Sequence, residues 1–249
     1  GIILLTFGAW RLSRLLFSSE RKQLVATALF IFGGGVGWIF WLLRGIFLPL
    51  QRIYSTDLTY YLGYSLFGFL YHTAAVYALI FLFAMLIYLI RFFQTKQLFF
   101  LGVSSICVML AFFNHPPGGV IGGAVLGLSA IYYVWKKDYF SPTREKALAL
   151  VLAGLPTLAI ALYTLWARSD PVFVFHQNIY LTPGGNERIG LYPLGFGFPL
   201  AFTAYAFFSR RKFEASSANI ILSVWLGVSV FFSAFFPLGI KYLYLVALP

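Results

Sequence analysis

An all-α, polytopic transmembrane helical bundle of about seven full spans plus two partial ones is what these 249 residues predict. Three observations lead there. The chain is 61% apolar and only 10% charged, whereas a soluble domain holds about 45–50% apolar and about 25% charged residues. Uncharged runs recur near the ~20-residue length with which a helix crosses a ~30 Å hydrocarbon core. Lys and Arg alternate between rich and poor segments from one run to the next, as successive loops do on opposite sides of a membrane.

The first run, residues 2–10, has neither a basic region before it nor a small-residue cleavage site, so it reads as the end of a helix and not as a signal peptide. Full spans are expected at 24–43, 73–90, 98–113, 116–135, 147–167, 189–209 and 215–240, with a second partial one at 242–249. The expectation is a single transmembrane domain over 1–249, an internal fragment truncated at both ends. Inside hydrocarbon every backbone amide must find a partner within a helix or a closed barrel, and apolarity without alternation selects helices. Gly33-Gly34-Gly35-Val36-Gly37 falls inside a span, where small residues let helices approach; it is no phosphate loop. Cys107, the single cysteine, can form no disulfide within the chain.

The net charge of +11 would suit nucleic acid only if the basic residues clustered on one solvated surface. Here they are parcelled out between apolar runs, so no nucleic-acid partner is expected. Thirteen of the 18 fall in alternate segments: Arg11, Arg14, Arg21, Lys22, Arg91, Lys96, Lys136, Lys137, Arg144, Lys146, Arg210, Arg211 and Lys212. The positive-inside rule puts these segments on the cytoplasmic side of a multi-pass protein of the cell membrane. His72, His115 and His176 then share the outer side with Asp57, Asp170 and Glu187. Glu20, Asp138, Glu145 and Glu214 sit among cytoplasmic cations, where solvated pairing accounts for them.

Three outer segments carry the candidate chemistry. Residues 44–72 are too long for a tight turn and too polar, at Gln51, Arg52, Ser55, Thr56 and Asp57, to span; an interfacial or re-entrant element is expected. Its tyrosines, Tyr54, Tyr60, Tyr61, Tyr64 and Tyr71, fit an aromatic belt at headgroup depth and equally a platform for sugar rings or an isoprenoid chain. The turn Phe113-Asn114-His115-Pro116-Pro117-Gly118-Gly119 holds His115 at its tip. A turn histidine can cap, or it can donate a hydrogen bond to phosphate without carrying a fixed charge. Residues 168–188 have turn signals at both ends and could cover a site; Glu187-Arg188 closes the segment as a solvated pair or a phosphate clamp.

No Asp, Glu, Lys, Arg or His falls in the central part of any span, whereas ion-coupled transporters place ionisable groups at mid-membrane. No Walker-type loop, HExxH or CxxC occurs, so no cofactor is evident and a divalent metal stays open.

The stretches FGGGVGWIFWLL at 32–43, the segment 66–90 and LAFFNHPPGGVIGGAVLG at 110–127, in that order, resemble the middle of bacterial membrane proteins of the GT-C glycosyltransferase superfamily. The approach to a further span at 236–248 is similar. The resemblance implies transfer of a sugar from a polyprenyl-phosphate carrier to an acceptor on the outer face, with membrane lipid and the lipid-linked donor as partners. It also implies an essential acid in a first outer loop, to which no residue here corresponds. Topology alone makes Asp57 the candidate base, and Arg52, His72, His115, His176, Glu187 and Arg188 candidates for binding substrate. A transporter or flippase for a lipid-linked or hydrophobic substrate, or a non-catalytic scaffold, is the competing expectation.

Overall fold

The computed structural model describes residues 1–32, 73–135, 143–167, 169–171 and 216–235. These are overwhelmingly helical, with no strand among them. In chain order the helices are α1 (Ile2–Leu16), α2 (Glu20–Phe32), α3 (Thr73–Thr95), α4 (Leu98–Asn114), α5 (Pro116–Trp135), α6 (Thr143–Ala167) and α7 (Ser217–Phe235). Three stretches are long and apolar enough to cross a membrane by length and composition: Val76–Thr95, Pro116–Trp135 and Arg144–Ala167. Leu98–Asn114 and Ser217–Ser229 are shorter apolar helices. The spans expected at 189–209 and 242–249 lie outside the described residues, as does most of 24–43.

α3 is the centre of the bundle and touches α1, α4, α5 and α7. Its apolar residues run all round, so Leu79, Leu82, Met85, Leu86, Leu89, Ile90 and Phe92 are all buried, the pattern of a helix without a solvated face. α1 buries one stripe, Leu5, Ala9, Leu12 and Ser13, at the i, i+4, i+7, i+8 spacing of a helix face. It lies parallel to α3: a Cβ on Gly1 would come within 3.3 Å of Val76, and one on Gly8 within 3.3 Å of Phe83. α2 returns antiparallel to α1, held by Ser13 Oγ to Thr27 Oγ1 at 3.2 Å and by Gln23 Nε2 donating to the Phe17 carbonyl at 2.7 Å.

The α3–α4 turn is two residues long. Lys96 takes the left-handed conformation, φ 63°, that ends a helix but is unfavourable for a side chain with a Cβ. Its Nζ donates to the Phe93 carbonyl at 2.8 Å and stands 5.6 Å above the Tyr133 ring of α5, so the side chain caps α3 and ties the turn to α5.

Two devices join the outer helices. On α5, Gly119 lies so close to α4 that a Cβ there would sit 2.3 Å from the Phe112 Cβ, and one on Gly123 would meet Thr157 of α6 at 3.3 Å. This is the close backbone approach that small residues spaced by four allow between membrane helices. On α6, Pro156 lies inside the helix and has no N–H to return to the Leu152 carbonyl. The buried Ser105 of α4 donates to that carbonyl at 2.6 Å, satisfying an acceptor that hydrocarbon would otherwise leave unpaired.

The helices overrun several of the expected apolar runs. α1 extends to Leu16 and carries Arg11 and Arg14; α3 continues to Thr95 through Arg91; α6 starts at Thr143, ahead of Arg144 and Lys146. Apolarity marks where hydrocarbon would end, while backbone pairing continues until a capping conformation stops it. On α6 the exposed large apolar side chains reach from Leu148 to Trp166, about 27 Å of helix and close to a hydrocarbon thickness.

Candidate functional site

Contacts along the chain fix which ends lie together. α4 and α6 are parallel, since Ser105 meets Leu152 and Phe112 meets Tyr163; α3 and α5 run against α4 through short turns. The described Lys and Arg therefore fall in one half of the bundle: Arg21, Lys22, Arg91, Lys96, Arg144 and Lys146 towards its end, and Arg11 and Arg14 nearer the middle, since the contact of Gly8 with Phe83 sets Arg11 level with Leu86 of α3. Glu20 and Glu145 lie towards that end too. His115 and Asp170 lie at the other end.

His115 occupies the whole of the break between α4 and α5. Clash with the following proline ring keeps the residue before a proline out of the α region, and His115 is extended, φ −153° and ψ 98°. Its N–H donates to the Ala111 carbonyl at 2.8 Å, closing α4, and its carbonyl accepts from Gly118 at 2.9 Å and Gly119 at 3.3 Å, opening α5. Pro116 and Pro117 contribute no N–H. The first turn of α5 therefore has no spare backbone donor, and recognition of an anion here falls to side chains. The His115 side chain is half-buried and stands beside Asn114, whose Nδ2 donates to the Leu110 carbonyl at 2.8 Å; the Asn114 Oδ1 is an acceptor by chemistry.

The end of α6 supplies the neighbouring wall. Phe112 packs edge-on against Tyr163 at 5.5 Å between centroids, and Tyr163 against Trp166 at 5.8 Å. Phe113, Tyr163 and Trp166 are exposed. Past the helix, Ser169 and Asp170 turn back on it through backbone bonds of 3.0 Å each to Trp166 and Ala167, leaving Asp170 exposed. The arrangement offers an imidazole, an amide oxygen and a carboxylate at one end of the bundle, rimmed by flat aromatic faces.

No known protein family, curated protein or solved structure matches the chain. The residues themselves carry the argument. Of the candidates, His115 is described; Asp57, Arg52, His72, His176, Glu187 and Arg188 lie outside the described residues, with the tyrosines of 54–71. Among the described residues no group of three or more His, Cys, Asp or Glu is placed to hold a metal ion. Sequence reasoning missed the Phe112, Tyr163 and Trp166 wall. The signal was available, because aromatic residues at the ends of apolar runs mark an interface wherever they occur, not only in 44–72.

Proposed function

We propose that this chain is the membrane domain of a GT-C-type glycosyltransferase, with about seven spans, its basic segments cytoplasmic, acting at the extracytoplasmic face. The observation that carries the reading is the polarity of the bundle. The described cations lie in one half of the bundle, while His115, Asn114 and Asp170 stand with an exposed aromatic rim at the far end of the other. A polyprenyl-phosphate sugar presents its reactive carbon at the membrane surface, with an isoprenoid chain below it that suits apolar and aromatic faces.

In the proposed reaction the bond between the sugar's anomeric carbon and the phosphate oxygen breaks, and a bond to the acceptor oxygen forms. The acceptor's proton passes to a carboxylate, for which Asp57 is the candidate. The departing polyprenyl phosphate keeps the electron pair, and its charge is stabilised by Arg52, Arg188 or the N–H of His115. Arginine suits that task through its forked donors.

The test is sugar transfer from a panel of polyprenyl-phosphate donors by the full-length protein in membranes, for wild type, His115→Ala, Arg188→Ala and Asp57→Asn at matched expression. Transfer by wild type and its loss in the variants supports the assignment. No transfer by wild type across the panel moves the reading to a transporter or flippase, or to a scaffold.

A further inference from the structure

Seated on α3, α1 carries two arginines towards the middle of the bundle. A Cβ on Gly1 would meet Val76 and one on Gly8 would meet Phe83, so the two helices run parallel at a constant offset of 75 positions. Arg11 is then level with Leu86 and Arg14 with Leu89, within the membrane-length stretch Val76–Thr95 of α3. Both side chains are exposed, on the stripe that Ile3, Leu4 and Phe7 begin.

Neither arginine reaches for the nearer end of the bundle. The Arg11 guanidinium carbon lies 5.9 Å from the Phe7 ring centroid, and that of Arg14 lies 4.9 Å from the Trp10 ring. Each ring belongs to the turn N-terminal to its arginine. The contacts draw the charges towards the levels of Leu82 and Met85, about 9–14 Å of helix from Arg91. A cation placed to snorkel would point the other way. A charge held at this depth is costly against lipid tails and marks a face that meets a counter-charge or water.

The chain's own acids are elsewhere. Among the described residues Glu20 and Glu145 lie towards one end and Asp170 at the other, and no ion pair is made by Arg11 or Arg14. The uncharged runs 24–43, 189–209, 215–240 and 242–249 contain no Asp or Glu. A second copy seated symmetrically on the same stripe would set arginine against arginine. The phosphate of a phospholipid stays at the membrane surface, short of this level.

We propose that the Arg11–Arg14 face of α1 binds a membrane-spanning helix of a different protein, one that carries a carboxylate at mid-span among apolar residues. Positions three apart share a helix face, so both guanidinia can address the same carboxylate, and laid on aromatic rings they keep their forked donors in a fixed plane. Ile3, Leu4 and Phe7 take the apolar residues on the outer side of that carboxylate. The proposal does not rest on sugar transfer.

The probe is a synthetic helix of about 20 leucines and alanines with one central Glu and a dansyl label, added to the purified protein in phosphatidylcholine vesicles. Energy transfer from tryptophan is the readout, Trp10 being at the site. A peptide with Gln in place of Glu is the comparison. Wild type is expected to bind the Glu peptide about ten-fold more tightly, from the usual strength of polar contacts between membrane helices. That preference should vanish in Arg11→Gln with Arg14→Gln and persist in Arg11→Lys with Arg14→Lys, which keeps the charge. Arg144→Gln, on α6, should leave it unchanged. Equal binding of the two peptides by wild type overturns the proposal, as does a preference that survives in the double glutamine variant. Loss of the preference in vesicles containing phosphatidylglycerol overturns it in favour of a lipid. Self-association of wild type that the double glutamine variant loses overturns it in favour of a second copy.

Discussion

Replacing Ser105 by alanine removes the hydroxyl that stands in for the N–H which Pro156 lacks. Ser105 has one proton and two acceptors in reach, its own Leu101 carbonyl at 3.1 Å and the Leu152 carbonyl of α6 at 2.6 Å. The shorter bond is the one whose loss matters, because Leu101 retains its helical partner and Leu152 does not. Interhelical hydrogen bonds in membrane proteins average about 0.6 kcal/mol and reach about 1.7. An acceptor left unpaired in an apolar setting costs about 1–3 kcal/mol. Ser105→Ala is therefore expected near the upper end of the membrane range, about 1.5 kcal/mol. In a Pro156→Ala background residue 156 regains an N–H for Leu152, and the cost of Ser105→Ala should fall to about 0.5 kcal/mol, a coupling of about 1 kcal/mol between the two positions. Equilibrium unfolding in mixed micelles of increasing SDS fraction, run on all four proteins, measures it. An equal loss in both backgrounds would refute the argument that Ser105 serves the proline gap.

Gly119→Ala would put a Cβ 2.3 Å from the Phe112 Cβ and 2.4 Å from its Cα. Backbone must shift to accommodate it, so a loss of about 3 kcal/mol or failure to accumulate is expected in the same unfolding assay; Gly127→Ala, with open space around it, should be neutral or mildly stabilising. At Lys96, φ 63° favours glycine, so Lys96→Ala should be about 1 kcal/mol less stable than Lys96→Gly, both having lost the bond to the Phe93 carbonyl; equal stability would count against strain at this turn. Cys107 is 7% exposed on α4, and a maleimide reagent should leave it unmodified in the folded protein and react on unfolding in SDS.

The apolar runs located the described helices because hydrocarbon length and side-chain apolarity report the same quantity. The run 116–135 coincides with α5, since Pro116 both begins the apolar stretch and supplies the N1 residue of a helix. Where a run ended at a charge, as at Arg91, the helix continued, because a long cationic side chain can reach the interface from within a helix. The His115 corner was legible for a local reason: a residue before proline cannot continue a helix. Its aromatic wall was legible only as separate aromatics at the ends of two runs, because Phe112 and Tyr163 are 51 positions apart and nothing local in either reveals that α4 and α6 run side by side. The same holds for Ser105 and Leu152. Of the outer-face candidates only His115 is on described residues, so the placement of Asp57 and Arg188 still rests on charge alternation along the chain.

The parallel seating of α1 on α3 bears on how the chain comes together during synthesis. Gly8 and Phe83 are 75 positions apart; at about 5–20 residues per second, several seconds separate their emergence from the ribosome. Over that interval α2 is the described helix already made with which α1 can pair, through Ser13 and Thr27. Among the described helices the α1–α2 hairpin is thus the first pair that can form, and the seating of Gly8 against Phe83 follows it.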